Sequence, residues 1–523
     1  MGGAERLWLA TLLSAASGCL IVLGAPRFDI APLGWIALVP LMFAVERARY
    51  RRVFWCSWIC GLAANMLGFY WITELLIRFG RLPLWLAVVL HVLLSAFQAL
   101  AFPAAALAAV RLHRRSVPMV VAWVGGFLAS DYLFPMVFPW FLAMTQHGNV
   151  PFIQIADLVG VAGVSALLVA VNAGLYVGAC RLVPALRSPA PEPPGRALWS
   201  LRVVAAAALA VQVYGWVQIA GYRARREGAD AVPIGVVQPD IGIGEKWDWG
   251  RRLDHAGRLQ RMTAEVERVG ATIAVWPETA WPIALSHDPP PDGGPRRDFD
   301  PETPQRIRRG FRIPVLFGVI TRSAEPPRSY NSAFLLDAAG NLRGPVSKNV
   351  LLIFGEYIPF RDALTFLDRW FPRTGSLEAG REPGVLEVGN LSLGVLNCYE
   401  DILPRYVGRM MREREPHVLV NVTNDAWFGD TAEPHQHFAL SVFRAVEQRR
   451  ELVRSVNTGV SGHVTAAGEV LAYTPTFREA AFVADVVPYA GRTVYGFVGD
   501  VPGYVALGAL AAWALLRVRR RRG

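Results

Sequence analysis

Long apolar runs fill the first 225 residues of this chain and return once near its end, and they restrict its fold more than any other feature. A helix needs roughly 20 apolar residues to cross a bilayer, because lipid offers the backbone no hydrogen-bond partners. Runs of about this length occur near 6–24, 30–46, 53–76, 84–110, 117–141, 153–180, 200–220 and 500–517. The sequence therefore predicts a membrane α-helical bundle of about eight spans.

The net charge of +11 is concentrated in short basic clusters beside these runs, at 47–52, 111–115 and 517–522. Lys and Arg residues that flank a span stay on the cytoplasmic side. This pattern predicts a cytoplasmic N-terminus and tail, with residues 221–499 on the opposite face. We expect the protein to associate with a lipid bilayer, and the distribution of its positive charge argues against binding to nucleic acid.

Residues 228–495 differ from the rest because strand-like and helix-like stretches alternate there. Alternation of this kind predicts a layered α/β domain with a largely buried sheet. We predict strands at 232–238, 272–276, 315–321, 332–337, 391–397, 418–423 and 452–457, and helices at 251–269, 404–414 and 434–450. The predicted domains are thus a helical region at 1–225, an α/β domain at 228–495, and a last span with a basic tail at 500–523.

Reactive residues stand where predicted strands of this domain end. Cys398 follows one strand and Glu278 follows another, and ligands collect at the carboxyl ends of strands in open α/β sheets. Backbone N–H groups on such a turn are expected to favour a thiolate and to hold an oxyanion. A cysteine nucleophile also needs a base, for which Glu278 is the candidate, and Lys348 can offset the negative charge of a tetrahedral intermediate.

These residues stand in blocks that resemble the nitrilase superfamily, in the same order along the chain. The matching blocks are Trp276-Pro277-Glu278, Tyr330-Asn331-Ser332, Lys348 with Phe354-Gly355-Glu356-Tyr357, Asn397-Cys398-Tyr399-Glu400, Asn424-Asp425-Ala426-Trp427-Phe428-Gly429, and Pro434-His435-Gln436-His437. A nitrilase-like domain set before the last of several membrane spans resembles the apolipoprotein N-acyltransferase family. One departure is the run at 349–353, where members often carry His-Leu-Val-Pro.

The resemblance implies an αββα sandwich with a triad in which Glu278 is the base, Cys398 the nucleophile and Lys348 the oxyanion stabiliser. Supporting or substrate-binding roles would fall to Glu356, Tyr399, Glu400, Trp247, Asn331 and Trp427. Cys398 would take an acyl chain from a phospholipid as a thioester and pass it to the α-amine of a diacylglyceryl-cysteine apolipoprotein. The implied location is a bacterial inner membrane with the catalytic domain in the periplasm. We expect a monomer that needs no cofactor.

Three other interpretations stay open. The same triad could serve a membrane-anchored carbon–nitrogen hydrolase of a small substrate, although one span would suffice as its anchor. The complete triad disfavours a non-catalytic scaffold, and the small number of charges within the spans gives little support to a transporter. His435 and His437 form a His-x-His pair, but the sequence offers no well-spaced carboxylates or cysteine beside them, so we predict no metal site.

Overall fold

The computed structural model describes residues 3–46, 48–183, 193–246, 248–290, 294–358 and 376–520. The chain forms two compact units. The helical unit comprises Met1–Thr73, Leu84–Ala220 and Val498–Gly523, and the α/β unit comprises Glu74–Pro83 and Gly221–Phe497. The ten residues Glu74–Pro83 thus group with the α/β unit, although they stand between two apolar runs of the sequence.

The apolar runs of the helical unit fold as α-helices. These are α1 (Gly3–Gly24), α2 (Val39–Val45), α3 (Tyr50–Gly68), α4 (Trp71–Arg78), α5 (Leu84–Gln98), α6 (Ala101–His113), α7 (Met119–Leu133), α8 (Val150–Ile153), α9 (Ala156–Leu182) and α10 (Pro194–Glu227), with α4 and α10 ending in the α/β unit. Helix α16 (Val501–Arg520) closes the chain, after α11 to α15 of the α/β unit.

The predicted count of eight spans is not confirmed. Among the described residues, four segments are long and apolar enough to cross a membrane: Leu7–Gly24, Leu84–His113, Ala156–Leu182 and Pro194–Glu227. A fifth is present if α3 and α4, which meet at an angle of 51°, form one bent span. The predicted span at 117–141 is an α-helix for only 15 residues, or roughly 22 Å at 1.5 Å per residue, which is short of a hydrocarbon core of about 30 Å.

The α/β unit contains two β-sheets. The first has the strand order β13-β1-β2-β4-β5-β6, with β3 paired to β4, and the second has the order β12-β11-β10-β9-β8-β7. The strands are β1 (Val232–Gln238), β2 (Ile273–Val275), β3 (Trp281–Ser286), β4 (Val315–Ser323), β5 (Arg328–Leu336), β6 (Leu342–Ser347), β7 (Val385–Val388), β8 (Leu391–Asn397), β9 (Val418–Thr423), β10 (Leu452–Val456), β11 (Gly462–Val464), β12 (Val470–Tyr473) and β13 (Ala480–Val486).

The two sheets pack face to face, and helices cover their outer faces. Buried side chains of both sheets share one core, which includes Val236 of β1, Val395 of β8 and Val420 of β9. Helix α12 (Arg252–Arg268) packs on the outer face of the first sheet. The outer face of the second sheet carries α13 (Pro404–Glu413) and α14 (Glu433–Gln448). The predicted αββα sandwich is therefore confirmed.

Two short helices complete the unit, α11 (Ile243–Lys246) and α15 (Val494–Val498). Two 3-10 turns extend from strands of the second sheet and matter for the candidate site. Cys398–Ile402 follows β8, and Asp425–Trp427 follows β9 after Asn424.

Candidate active site

Four buried polar side chains of the α/β unit form one hydrogen-bonded group, here called the lysine cluster: Glu278, Asn331, Lys348 and Glu356. Lys348 Nζ lies 3.3 Å from Glu278 Oε1 and 2.9 Å from Glu356 Oε2. The Asn331 amide donates to the same two carboxylates, at 2.6 Å to Glu278 Oε1 and 3.1 Å to Glu356 Oε1. Two carboxylates thus share a single ammonium within the cluster, which leaves it able to accept a proton.

Strand ends of the first sheet position the charges of this cluster. Glu278 stands three residues beyond β2, and Lys348 directly follows β6. Gly318 on β4 allows the Glu278 segment to lie against the sheet, because a Cβ at Gly318 would come within 2.6 Å of Glu278 Cα. Gly318 is a site-forming residue that the sequence analysis missed, and a glycine inside an apolar strand is the signal that could have found it.

Cys398 lies at the end of β8, at the first residue of its 3-10 turn. Its φ is 49°, a left-handed conformation that non-glycine residues adopt only when the surrounding structure holds them there. Asn421 Nδ2 donates to the Cys398 carbonyl oxygen at 3.1 Å. Cys398 as a whole residue is partly exposed, whereas the lysine cluster is buried. A strained backbone at a strand end suits a nucleophile.

Glu400 connects the cysteine turn to the segment after Lys348. Its Oε2 accepts from Asn397 N at 2.9 Å, and its Oε1 accepts from the backbone amides of Asn349 at 2.6 Å and Val350 at 3.1 Å. Burial raises the pKa of Glu400 to about 7, although these N–H groups oppose it. One buried carboxylate thus fixes the backbone beside Lys348 relative to the turn that carries Cys398.

The charges of the lysine cluster act on the Cys398 thiol. Burial lowers the pKa of Lys348, but the carboxylates of Glu278 and Glu356 outweigh it and raise that pKa well above its ordinary value. Burial, followed by the Glu278 carboxylate, raises the pKa of Cys398 well above its ordinary value, and Lys348 only partly opposes this. Burial and the nearby carboxylates thus outweigh the Lys348 ammonium and favour the protonated thiol.

The other predicted site residues lie around this centre. Tyr399 follows Cys398 and is half-buried, as is Trp427 in its 3-10 turn. The Trp427 ring stacks on Phe79, with centroids 4.1 Å apart and planes 18° from parallel. Phe79 belongs to Glu74–Pro83 and was missed because its position between apolar runs hides it. Trp247 lies outside the described residues.

Lys246 is a second buried lysine that the sequence analysis missed. Its Nζ donates to the carbonyl oxygen of Glu278 at 3.0 Å. Burial lowers the pKa of Lys246 to about 8, although the charges of Glu278 and Cys398 oppose this. Lys246 ends α11, shortly after β1. Its position shortly after the predicted strand 232–238 is the signal that could have found it.

The sandwich and its strand-end residues define a class of domain, the nitrilase-like or carbon–nitrogen hydrolase domain. The family model described as carbon-nitrogen hydrolase matches residues 234–493. A second model, described as the apolipoprotein N-acyltransferase N-terminal domain, matches residues 17–174. An amidase from Nesterenkonia sp. is a solved structure that aligns over 51% of this chain and 93% of its own, at 18% identity and a TM-score of 0.35.

Relatives extend the match over nearly the whole chain. The apolipoprotein N-acyltransferase of Geobacter metallireducens is 31% identical over 98% of this chain and 95% of its own length. The apolipoprotein N-acyltransferase of Bdellovibrio bacteriovorus is 30% identical over 96% of this chain and 94% of its own length. That of Chlorobaculum tepidum is 28% identical over 100% of this chain and 100% of its own length. The chain therefore belongs to the apolipoprotein N-acyltransferase family, and its apolar helices make it a membrane protein.

Proposed function

We propose that the chain transfers an acyl chain from a membrane phospholipid to the N-terminal α-amine of diacylglyceryl-cysteine apolipoproteins, through a thioester on Cys398. The observation that carries this proposal is the lysine cluster together with a strand-end cysteine whose pKa is raised by burial and by the Glu278 carboxylate. A protonated thiol needs a base at the moment of attack, and a cluster with more carboxylates than ammonium groups supplies one.

In the first half-reaction, Glu278 accepts the proton of the Cys398 thiol while Sγ attacks the ester carbonyl carbon of the phospholipid. Lys348 stabilises the resulting oxyanion. The intermediate collapses as the bond from the carbonyl carbon to the glycerol oxygen breaks. Glu278 returns its proton to that oxygen, so a lysophospholipid leaves and the acyl chain stays on Cys398 as a thioester.

In the second half-reaction, the α-amine of the lipoprotein attacks the thioester carbonyl carbon. Glu278 accepts a proton from the amine, Lys348 again stabilises the oxyanion, and the carbon–sulfur bond breaks to give an amide. The proton held by Glu278 restores the Cys398 thiol. Glu356 and Asn331 orient Glu278 and Lys348 through the hydrogen bonds of the lysine cluster, and Glu400 holds the cysteine turn.

The membrane arrangement follows from the substrates and the charge pattern. Each buried CH₂ contributes about 0.8 kcal/mol, so both acyl substrates stay in the bilayer and the enzyme must be held there. The basic clusters at 47–52, 111–115 and 517–522 support a bacterial inner membrane location with the α/β unit on the periplasmic side. We further propose the domain limits 1–225, 228–495 and 500–523, and a monomer as the working form.

The test is the intact mass of the detergent-purified full chain after incubation with phospholipid. Wild type should gain the mass of one acyl chain and release lysophospholipid, and neutral hydroxylamine should remove the added mass. Cys398→Ala should gain nothing. Glu278→Gln should acylate about 100-fold more slowly or worse, because its base is gone. Addition of a diacylated lipopeptide should then discharge the wild-type thioester onto the peptide amine.

The opposite outcome is equally specific. A wild-type chain that forms no hydroxylamine-sensitive adduct, yet hydrolyses small amides through Cys398, would be a membrane-anchored carbon–nitrogen hydrolase. That result would exclude acyl transfer while leaving the triad intact.

A further inference from the structure

Five buried charged side chains lie under the turns of the candidate site and form a second group, here called the histidine cluster: Asp401, Asp425, Glu433, His437 and Arg454. His437 Nε2 lies 2.7 Å from Asp401 Oδ1. His437 Nδ1 lies 3.3 Å from Asp425 Oδ1 and 3.5 Å from Glu433 Oε1. The Arg454 guanidinium pairs with Asp401 and lies 3.5 Å from Asp425 Oδ2.

The members of this cluster come from four separate elements. Asp401 belongs to the 3-10 turn that begins at Cys398, and Asp425 begins the turn that ends at Trp427. Glu433 and His437 stand in the first turns of α14, and Arg454 lies in β10. His437 and Arg454 each contact both aspartates, so each joins the nucleophile turn to the Trp427 turn.

Gly459 packs closely against the histidine cluster. A Cβ at Gly459 would lie 2.0 Å from Asp425 Oδ2, so only glycine leaves room for that carboxylate. The charge of the cluster also reaches the thiol, since Asp425 is one of the groups that raise the pKa of Cys398. Position and charge of the nucleophile are therefore both connected to this group.

We propose that His437 and Arg454 are positioning residues that hold the Cys398 turn and the Trp427 turn in register, with His437 acting as a buried imidazolium. This rests on the proposed function only in taking Cys398 as the nucleophile. Burial and the Arg454 charge lower the pKa of His437, but Asp401 and Asp425 outweigh them and raise it well above its ordinary value. The proton on His437 offsets part of the negative charge of the three carboxylates.

A cation site is the competing interpretation of the same residues. Ligand atoms of Asp425, Glu433 and His437 all lie within 4.8 Å of one another, a spacing that could hold a metal ion. Both ring nitrogens of His437 face carboxylate oxygens, Nε2 towards Asp401 and Nδ1 towards Asp425 and Glu433. Each of these contacts is favourable when both nitrogens carry a proton. We therefore assign the positive charge at this position to the imidazolium, and a metal site is one outcome of the test.

The experiment measures alkylation of Cys398 by iodoacetamide in the full chain in detergent, from about pH 6 to about pH 10. Mass spectrometry of the Cys398 peptide separates this thiol from the other cysteines. His437→Gln should slow alkylation and move its midpoint to higher pH, because a positive charge near the thiolate is lost. The rate of acyl-enzyme formation should fall about 100-fold, as expected for a misplaced nucleophile.

His463→Gln is the matched control. His463 is equally buried and its Nε2 lies 2.8 Å from Glu451 Oε2, but it stands in β11 and not under the nucleophile turn. The control should lose stability and keep the wild-type midpoint and alkylation rate. If His437→Gln does not fold, Arg454→Lys replaces it; this variant keeps the charge but cannot bridge both aspartates, so it should slow alkylation at an unchanged midpoint.

Two results would overturn the proposal. One is an alkylation profile of His437→Gln, or of Arg454→Lys, that matches His463→Gln. The other is a wild-type profile that shifts on chelation and returns with added Zn²⁺, which would make the group a metal site. Alkylation needs no acyl donor, so the proposal can hold even if acyl transfer is not found.

Discussion

The α/β unit contains two buried ionic clusters that are alike in composition and different in use. The lysine cluster sets Glu278 and Glu356 against one ammonium, and the histidine cluster sets three carboxylates against an imidazolium and a guanidinium. Each therefore has one carboxylate more than it has cations. A buried excess of negative charge is costly, and a proton relieves it.

The clusters differ in where that proton comes from. In the lysine cluster, the proposed proton donor is the Cys398 thiol, so accepting the proton would be the chemical step itself. In the histidine cluster, Glu433 can take a proton from solvent as the pH falls, and its pKa is raised to about 7 by burial and then by Asp425, against His437 and Arg454. The same electrostatic condition thus supports catalysis in one place and positioning in the other.

The largest expected effect follows when one cation is removed from each cluster, because the two losses should change the reaction rate differently. Lys348→Met and Arg454→Met each leave buried carboxylates unpaired, which should lower the free energy of unfolding by about 3–5 kcal/mol in both. Lys348→Met also removes the oxyanion partner, so acyl-enzyme formation should fall by about 100- to 1000-fold beyond any loss of folded protein. The rate should fall less in Arg454→Met than in Lys348→Met, because the nucleophile is misplaced while the proposed oxyanion partner remains.

The measurement is thermal unfolding in detergent together with the rate of acyl-enzyme formation per folded molecule. Rescue gives the sharper distinction, because Arg454→Lys should recover part of the rate by restoring the charge. The comparison breaks if Arg454→Met stops acylation as completely as Lys348→Met at equal folded fraction.

A smaller effect concerns the proton on Glu433. The pKa of Glu433 rises from 4.5 to about 7 on folding. Protonation of Glu433 therefore stabilises the folded protein, and this contribution is complete below about pH 4 and is lost as the pH rises through about 7. Glu433→Gln is neutral at every pH. Relative to wild type, its free energy of unfolding should increase as the pH rises from about 4.5 to about 7. Above that range it should be higher than that of wild type by about 3 kcal/mol.

Thermal unfolding of both proteins at about pH 5 and about pH 8 tests this. Glu356→Gln is the control from the lysine cluster. Both carboxylate oxygens of Glu356 accept hydrogen bonds, and an amide has only one oxygen, so this variant should be less stable than wild type at both values. A constant difference between Glu433→Gln and wild type across the range would show that Glu433 does not carry the titration.

The sequence predicts those features of the fold and of the candidate site that depend on a short stretch of chain. The strands at 232–238, 391–397 and 418–423 were predicted with the bounds they have in the structure, because each is a short run rich in Val, Ile and Leu. Cys398, which directly follows one of these strands, is found from such a run. Strand β6 was missed because it contains Gly344 and Pro345, which are tolerated there at the edge of the sheet.

The histidine cluster could not be predicted, because its contacts are tertiary. Asp401 and Arg454 are 53 positions apart in the chain and meet only when β8 and β10 flank β9. In the sequence, His437 stands two residues after His435, and no well-spaced set of carboxylates stands beside the pair. The carboxylates are present, but they reach His437 from other turns and from the same helix face, four residues away.

The smallest effect concerns Phe79, which contacts the Trp427 turn from outside the histidine cluster. An aromatic pair contributes about 0.5–1.5 kcal/mol beyond its burial. Phe79→Ala should therefore lower kcat/KM for acyl transfer by roughly two- to tenfold. Phe79→Tyr keeps a ring on Trp427 and should stay near the wild-type value.

Phe97→Ala supplies the matched loss of an aromatic contact in the helical unit, where Phe97 and Phe134 have centroids 5.5 Å apart. That variant should lose stability without a change in kcat/KM. If Phe79→Ala behaves like Phe97→Ala, the segment Glu74–Pro83 only packs against the α/β unit. If kcat/KM falls in Phe79→Ala alone, the Trp427 turn needs support from both sides, and the histidine cluster supplies only one of them.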